Sequence, residues 1–235
     1  MRTLLLFDID GTLVAGGPAK QAFHVAMLAT YGTAGPIETH EFSGKTDPQI
    51  ARELLREDGL SDAEIDHGLP RLVERYLAEL ETRLPNVPMH VLPGVETLMT
   101  ALTDVALAPQ IGLGLVTGNV AGGADLKLRG PRLRDPFLIG AFGSDSEERN
   151  HLPGLALERA RRHWSTDFAA ERVWVIGDTP RDVECGQAHG LRTLAVATGN
   201  FSAEVLEATG ADAVVEDFSD TSAVIDVLMD VPNRT

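Results

Sequence analysis

One cysteine in 235 residues, Cys185, has no partner for an internal disulfide, and a zinc site would have to rest on histidines and carboxylates alone. The seven histidines are scattered without H-E-x-x-H spacing, so they read as surface or packing residues. Long apolar runs are missing too. None approaches the ~20 residues of a membrane span, and the short N-terminal run reaches Asp8 before it could form the core of a signal peptide. A soluble, cytoplasmic protein with no membrane partner is therefore expected. Basic residues are scarce, 20 against 35 acidic, and a formal net charge of −15 repels nucleic-acid phosphates, so no nucleic-acid partner is expected either. Neither internal repeats nor low-complexity tracts occur.

What is present is enough apolar sequence, 43%, for a sizeable core, arranged in a rhythm. A mostly apolar run at 3–7 reads as a buried strand, similar apolar-rich segments lie at 112–116, 141–143, 173–176 and 191–196, and a weaker one at 213–215. Helical patterns lie among the later ones at 94–103, 122–129, 153–164, 180–189, 203–208 and 221–229. Strand alternating with helix predicts an α/β fold, a Rossmann-like, mostly parallel sheet covered on both faces. Residues 18–88 break the rhythm with helical patterns only, at 18–31, 47–58 and 61–84, the last opened by the capping box Ser61-x-x-Glu64. The expected organisation is a catalytic core of residues 1–15 and 90–235 and an inserted all-helical cap at 16–89.

Ligands of open parallel sheets bind at the carboxyl ends of the strands. The first strand delivers Asp8 and Asp10 to that edge, with Gly11 permitting a sharp turn; the second delivers Thr117-Gly118-Asn119; the fourth delivers Gly177-Asp178-Thr179, with Asp182 a helical turn on. Asp8 can act as a nucleophile towards phosphorus, and Asp10 can protonate the leaving oxygen and later deprotonate water. Several acids in one crevice call for a cation, and an all-oxygen donor set favours Mg²⁺, held by Asp8, the Asp10 carbonyl and Asp178, with Asp182 close by. Thr117 offers a hydroxyl, and the Gly118 and Asn119 amides can face phosphate oxygens. A fixed positive charge is still needed. Arg149, at the lip of a strand-helix loop, is favoured over Lys127, for which a solvated helix face is an equal reading.

With these residues assembled, the chain resembles the haloacid dehalogenase-like hydrolases, in particular the phosphoglycolate-phosphatase-like branch with a helical cap. D-I-D-G-T at Asp8 to Thr12 matches the first motif of that superfamily, V-T-G-N around Thr117 the second, and G-D-T-P-R-D at Gly177 to Asp182 the fourth. The third motif departs: where the branch usually has lysine in a K-P-x-P setting, this chain has Arg149-Asn-His-Leu-Pro153. Arginine keeps its charge and can grip two oxygens, so phosphate binding should survive.

The resemblance implies a Mg²⁺-dependent phosphatase acting through an aspartyl-phosphate on a small phosphorylated metabolite, phosphoglycolate-like or a sugar phosphate. Gly11, Thr12, Gly118 and Asn119 would line the substrate, and the cap would close over the crevice. On the cap, Phe42-Ser-Gly-Lys-Thr-Asp47 is a glycine-bearing loop leading into a helix. Lys45 could reach an anionic part of the substrate, whereas Thr46 and Asp47 read as helix caps. A β-phosphoglucomutase-like mutase is the nearest rival, a non-catalytic binding protein on the same scaffold a more distant one, and a monomer or weak homodimer is expected.

Overall fold

The computed structural model describes residues 2–104 and 106–230; the outermost positions of the expected core, 1 and 231–235, and position 105 within it, lie outside the described residues. Strand β1 (Thr3–Phe7) is buried at all five positions because it lies inside a sheet covered on both sides. Side chains alternate along it: Leu5 and Phe7 join a cluster on one face, Leu4 and Leu6 a cluster on the other. Beside β1 run β4 (Ile111–Thr117) and β6 (Val173–Gly177); β5 (Ile139–Phe142), β7 (Arg192–Val196) and β8 (Ala213–Val215) complete the order β5-β4-β1-β6-β7-β8, with every pairing parallel.

One face packs against α4 (Val95–Thr103), α5 (Ala121–Arg129) and α9 (Thr221–Met229); Leu98, Leu128 and Leu228 meet Trp174 in the same cluster. The opposite face packs against α6 (Leu152–Trp164) and α7 (Pro180–Gln187). A short α8 (Ala203–Glu207) places Leu206 in a smaller cluster beside β7. Trp174 is fully buried, and its indole N–H donates to the Leu228 carbonyl at 3.1 Å. Gly112 and Gly114 serve close packing within β4. A Cβ on Gly114 would lie 2.3 Å from Ile139 Cδ1.

Between β1 and β4 the chain leaves the sheet. A two-stranded antiparallel ribbon, β2 (Val14–Gly16) with β3 (Met89–Val91), carries α1 (Ala19–Tyr31), α2 (Asp47–Glu57) and α3 (Asp62–Arg83). These helices bury their own core, in which Phe23, Met27, Leu54, Leu72 and Tyr76 meet. The Ser61–Glu64 capping box forms at the head of α3. The ribbon is not apparent in the sequence, because strands of three residues give no periodicity to read.

Candidate active site

Because β4, β1 and β6 are neighbours, their carboxyl ends lie side by side, and Thr117, Asp8 and Asp178 meet there, all buried. Asp182, one turn into α7, joins them, so Asp8, Asp178 and Asp182 each offer an oxygen within 4.8 Å of the others. Two glycines make room. A Cβ on Gly11, where φ is +83°, would fall 2.3 Å from Asp178 Oδ2, and one on Gly199 would fall 1.8 Å from the same atom. Thr12 Oγ1 donates to Asp178 Oδ1 at 3.1 Å. Every donor in this cradle is a hard oxygen, and the one thiol nearby, Cys185, donates to the Asp182 carbonyl and is itself buried. The set suits a small divalent cation such as Mg²⁺.

The charge balance points the same way. Burial pushes the Asp8 carboxyl up to about 7, opposed by Arg149 and Thr117 and reinforced by Asp182 and Asp10. Burial likewise raises Asp178 to about 8, with Asp182 and Asp8 adding to it. Carboxyls that hold protons at neutral pH mark a site short of positive charge.

Arg149, buried on the turn before α6, is the cation that reaches this cluster. Its Nη2 lies 3.5 Å from Asp8 Oδ1 and donates to Asp182 Oδ1, while its buried Nε has no hydrogen-bond partner among the described residues. The other oxygen of Asp182 accepts from Thr179 N at 3.0 Å and Thr179 Oγ1 at 2.7 Å, closing a second capping box at the head of α7. Asp182 therefore shares both oxygens with protein donors, which leaves Asp8 and Asp178 as the more available ligands.

Asp10 belongs to an adjoining group. Lys127 Nζ lies 2.8 and 2.7 Å from its two carboxylate oxygens and donates to Asn119 Oδ1 at 2.6 Å, and Asn119 Nδ2 donates to Asp10 Oδ2 at 2.7 Å. Lys127 is 4% exposed, so the solvated helix face expected as one of its two readings does not occur. Both candidate cations thus sit in the crevice, each clasped by a different aspartate.

These groups open into one cavity of about 610 Å³ between sheet and helical insertion. Its far wall carries Phe23, Phe42, Tyr76 and Lys45. Lys45 Nζ pairs with Glu53 at 2.5 Å and lies 3.4 Å from His40 Nε2. Thr46 caps α2 by accepting from Gln49 N, as expected. Asp47 does not cap its own helix: its carboxylate accepts from Val120 N of the core at 2.8 Å. The sequence reading missed Thr198 and Gly199, which follow β7 at the same sheet edge; the strand-end rule would have found them had it been extended one strand further.

Comparisons with known proteins agree with this architecture. A family profile described as HAD-hydrolase-like matches residues 153–221. The chain is similar to the phosphoglycolate phosphatase of Rhodospirillum rubrum, with 29% identity over 228 residues, covering 93% of this chain and 89% of that protein. Among solved structures it is similar to a hydrolase from Pseudomonas syringae, at TM-score 0.71 and 21% identity, covering 97% and 100% of the two chains. It is also similar to CbbY from Rhodobacter sphaeroides in complex with phosphate, at TM-score 0.68 and 20% identity, covering 94% and 96%.

Proposed function

Because the chain belongs to the haloacid dehalogenase-like hydrolase superfamily, we propose that it is a Mg²⁺-dependent phosphatase of a small phosphorylated metabolite. The observation that carries this reading is the meeting of Asp8, Asp178 and Arg149 at the floor of a cavity, with buried Asp182 behind them. Asp8 attacks phosphorus and becomes the aspartyl-phosphate. Arg149, already 3.5 Å from that carboxylate, holds a phosphoryl oxygen as charge spreads over it, and the Thr117 hydroxyl and the backbone of Gly118 and Asn119 face the others. Asp10 protonates the leaving oxygen and then takes a proton from the attacking water. Asp8, the Asp10 carbonyl and Asp178, with Asp182 behind, would hold Mg²⁺, which would supply the positive charge that lets these carboxylates coexist. Gly11 and Thr12 lie beside Asp178 at the same strand ends. Lys127 keeps Asp10 at the crevice.

The cavity is larger than a phosphoryl group needs, and Lys45 and His40 on its far wall suit a second anionic or hydroxyl-rich end of the substrate. Phosphoglycolate fits that description, as does a sugar phosphate. The similarity to a phosphoglycolate phosphatase favours the first. In this reading the protein acts as a monomer or weak homodimer.

Purified protein is expected to release phosphate from phosphoglycolate or a sugar phosphate with Mg²⁺ and not with EDTA, in a panel of phosphorylated metabolites. Return of a 6-phosphate from a sugar 1-phosphate would instead identify a mutase, and inertness towards the whole panel would leave a binding protein. Arg149→Met should lower kcat/KM by roughly 10²-fold or more, because it removes the charge beside Asp8, whereas Arg149→Lys should lose roughly tenfold. Steady-state kinetics with p-nitrophenyl phosphate measures both; equal activity in the two variants would exclude a role for that charge.

A further inference from the structure

Asp47 ties the cap to the core through both its backbone and its side chain. Asp47 is the first residue of α2, and its own N–H donates to the Gly118 carbonyl at 2.8 Å while its carboxylate accepts from Val120 N at 2.8 Å. The backbones approach as near as glycine allows: a Cβ on Gly118 would lie 2.1 Å from the Lys45 carbonyl oxygen. Val120 precedes α5 and has no side chain able to cap it. Asp47 supplies a carboxylate there from the cap, and Ser144 Oγ accepts from Ala121 N at 3.1 Å. Negative charge at this helix start is favoured by the α5 dipole. The Val120 side chain completes the contact, being 1% exposed and packed into the core of the cap.

The segment gripped in this way is Gly118 to Val120, directly after Thr117, and α5 carries the Lys127 that holds Asp10. We propose that Asp47 is a positioning residue: docking of the cap delivers its carboxylate as a helix cap in trans to α5, and thereby sets the 117–120 loop and the Lys127–Asp10 pair in working geometry only when the cavity is closed. The charged groups facing it from the core are Lys127 and Asp10, and Tyr76 faces it from α3. Burial raises the Asp47 carboxyl to about 6, reinforced by Asp10, while Lys127 and the Val120 N–H oppose it and favour the charged form. The docking half of the proposal is independent of the reaction; the kinetic half rests on the phosphatase reading.

Amide hydrogen exchange of the full-length protein, resolved at Val120, tests the docking half. In wild type the Val120 amide is expected to be protected. In Asp47→Ala its protection should fall by about tenfold or more, the scale on which losing a helix cap acts. Asp47→Asn keeps an acceptor oxygen and should retain most of it. Ser61→Ala, which uncaps α3 away from the contact, should lower Tm without exposing Val120. With p-nitrophenyl phosphate and Mg²⁺, Asp47→Ala should lower kcat by about 10-fold to 100-fold, with KM changed less and partial rescue in Asp47→Asn. Unchanged Val120 protection in Asp47→Ala overturns the docking contact. Lost protection with kcat within about twofold of wild type overturns the positioning role. If wild type turns over no phosphomonoester, the phosphatase reading fails, and the exchange comparison still decides whether Asp47 caps α5.

Discussion

Asp8→Asn is expected to lower kcat for p-nitrophenyl phosphate by roughly 10³-fold or more, because an amide oxygen is a far weaker nucleophile than a carboxylate and cannot form the aspartyl-phosphate. The same substitution should leave Tm unchanged or raise it. Asp8 is buried against Asp178 and Asp182, and burial together with Asp182 and Asp10 already disfavours its charged form. Removing that charge relieves repulsion, and Arg149 keeps its bond to Asp182. Loss of activity together with intact or higher stability separates a chemical role from a structural one. A variant turning over at the wild-type rate would mean that water attacks phosphorus directly and that Asp8 is not the nucleophile.

The second large effect concerns Mg²⁺ and pH. Without a cation, Asp8 and Asp178 are raised from an ordinary value of 3.8 to about 7 and about 8. The folded protein then binds protons more tightly than the unfolded chain across that window. Stability from these two groups is therefore fully present below about pH 4 and is lost as pH rises through 7 to 8. A divalent cation competes with those protons, so its affinity should grow with pH. In EDTA, Tm is expected to decline between pH 5 and pH 8. Millimolar Mg²⁺ should raise Tm by roughly 5 °C or more at pH 8 and by much less at pH 5. Asp178→Asn should flatten the decline and remove most of the Mg²⁺ effect. A Mg²⁺ shift equal at both pH values would rule out these carboxylates as the site.

The four apolar residues before Asp8, Leu4 to Phe7, followed by a turn glycine read as a buried strand, and the carboxylate after them then falls at the end of a parallel sheet where ligands bind. Similar runs before Thr117 and Asp178 placed those residues at the same rim, and Ser61-x-x-Glu64 announced the start of α3. Such signals are local: periodicity, a cap, a turn glycine, each complete within a few neighbouring positions. Motif spacing likewise sufficed to bring Asp8, Asp178 and Asp182 into one crevice.

Partnerships were another matter. Nothing near Lys127 says that its ammonium meets Asp10, 117 residues away, rather than solvent, and the sequence favoured Arg149 over it as the phosphate-holding cation only by its place at a loop lip. Asp47 stood where a helix cap belongs, and does cap a helix, but the one that begins 74 residues later. Fold class, strand ends and the acidic crevice were thus written in local pattern. Which charge neutralises which, and which cap residue grips the core, was decided only when distant segments came within hydrogen-bond reach, because desolvation and ion pairing depend on distance in space and leave no period along the chain.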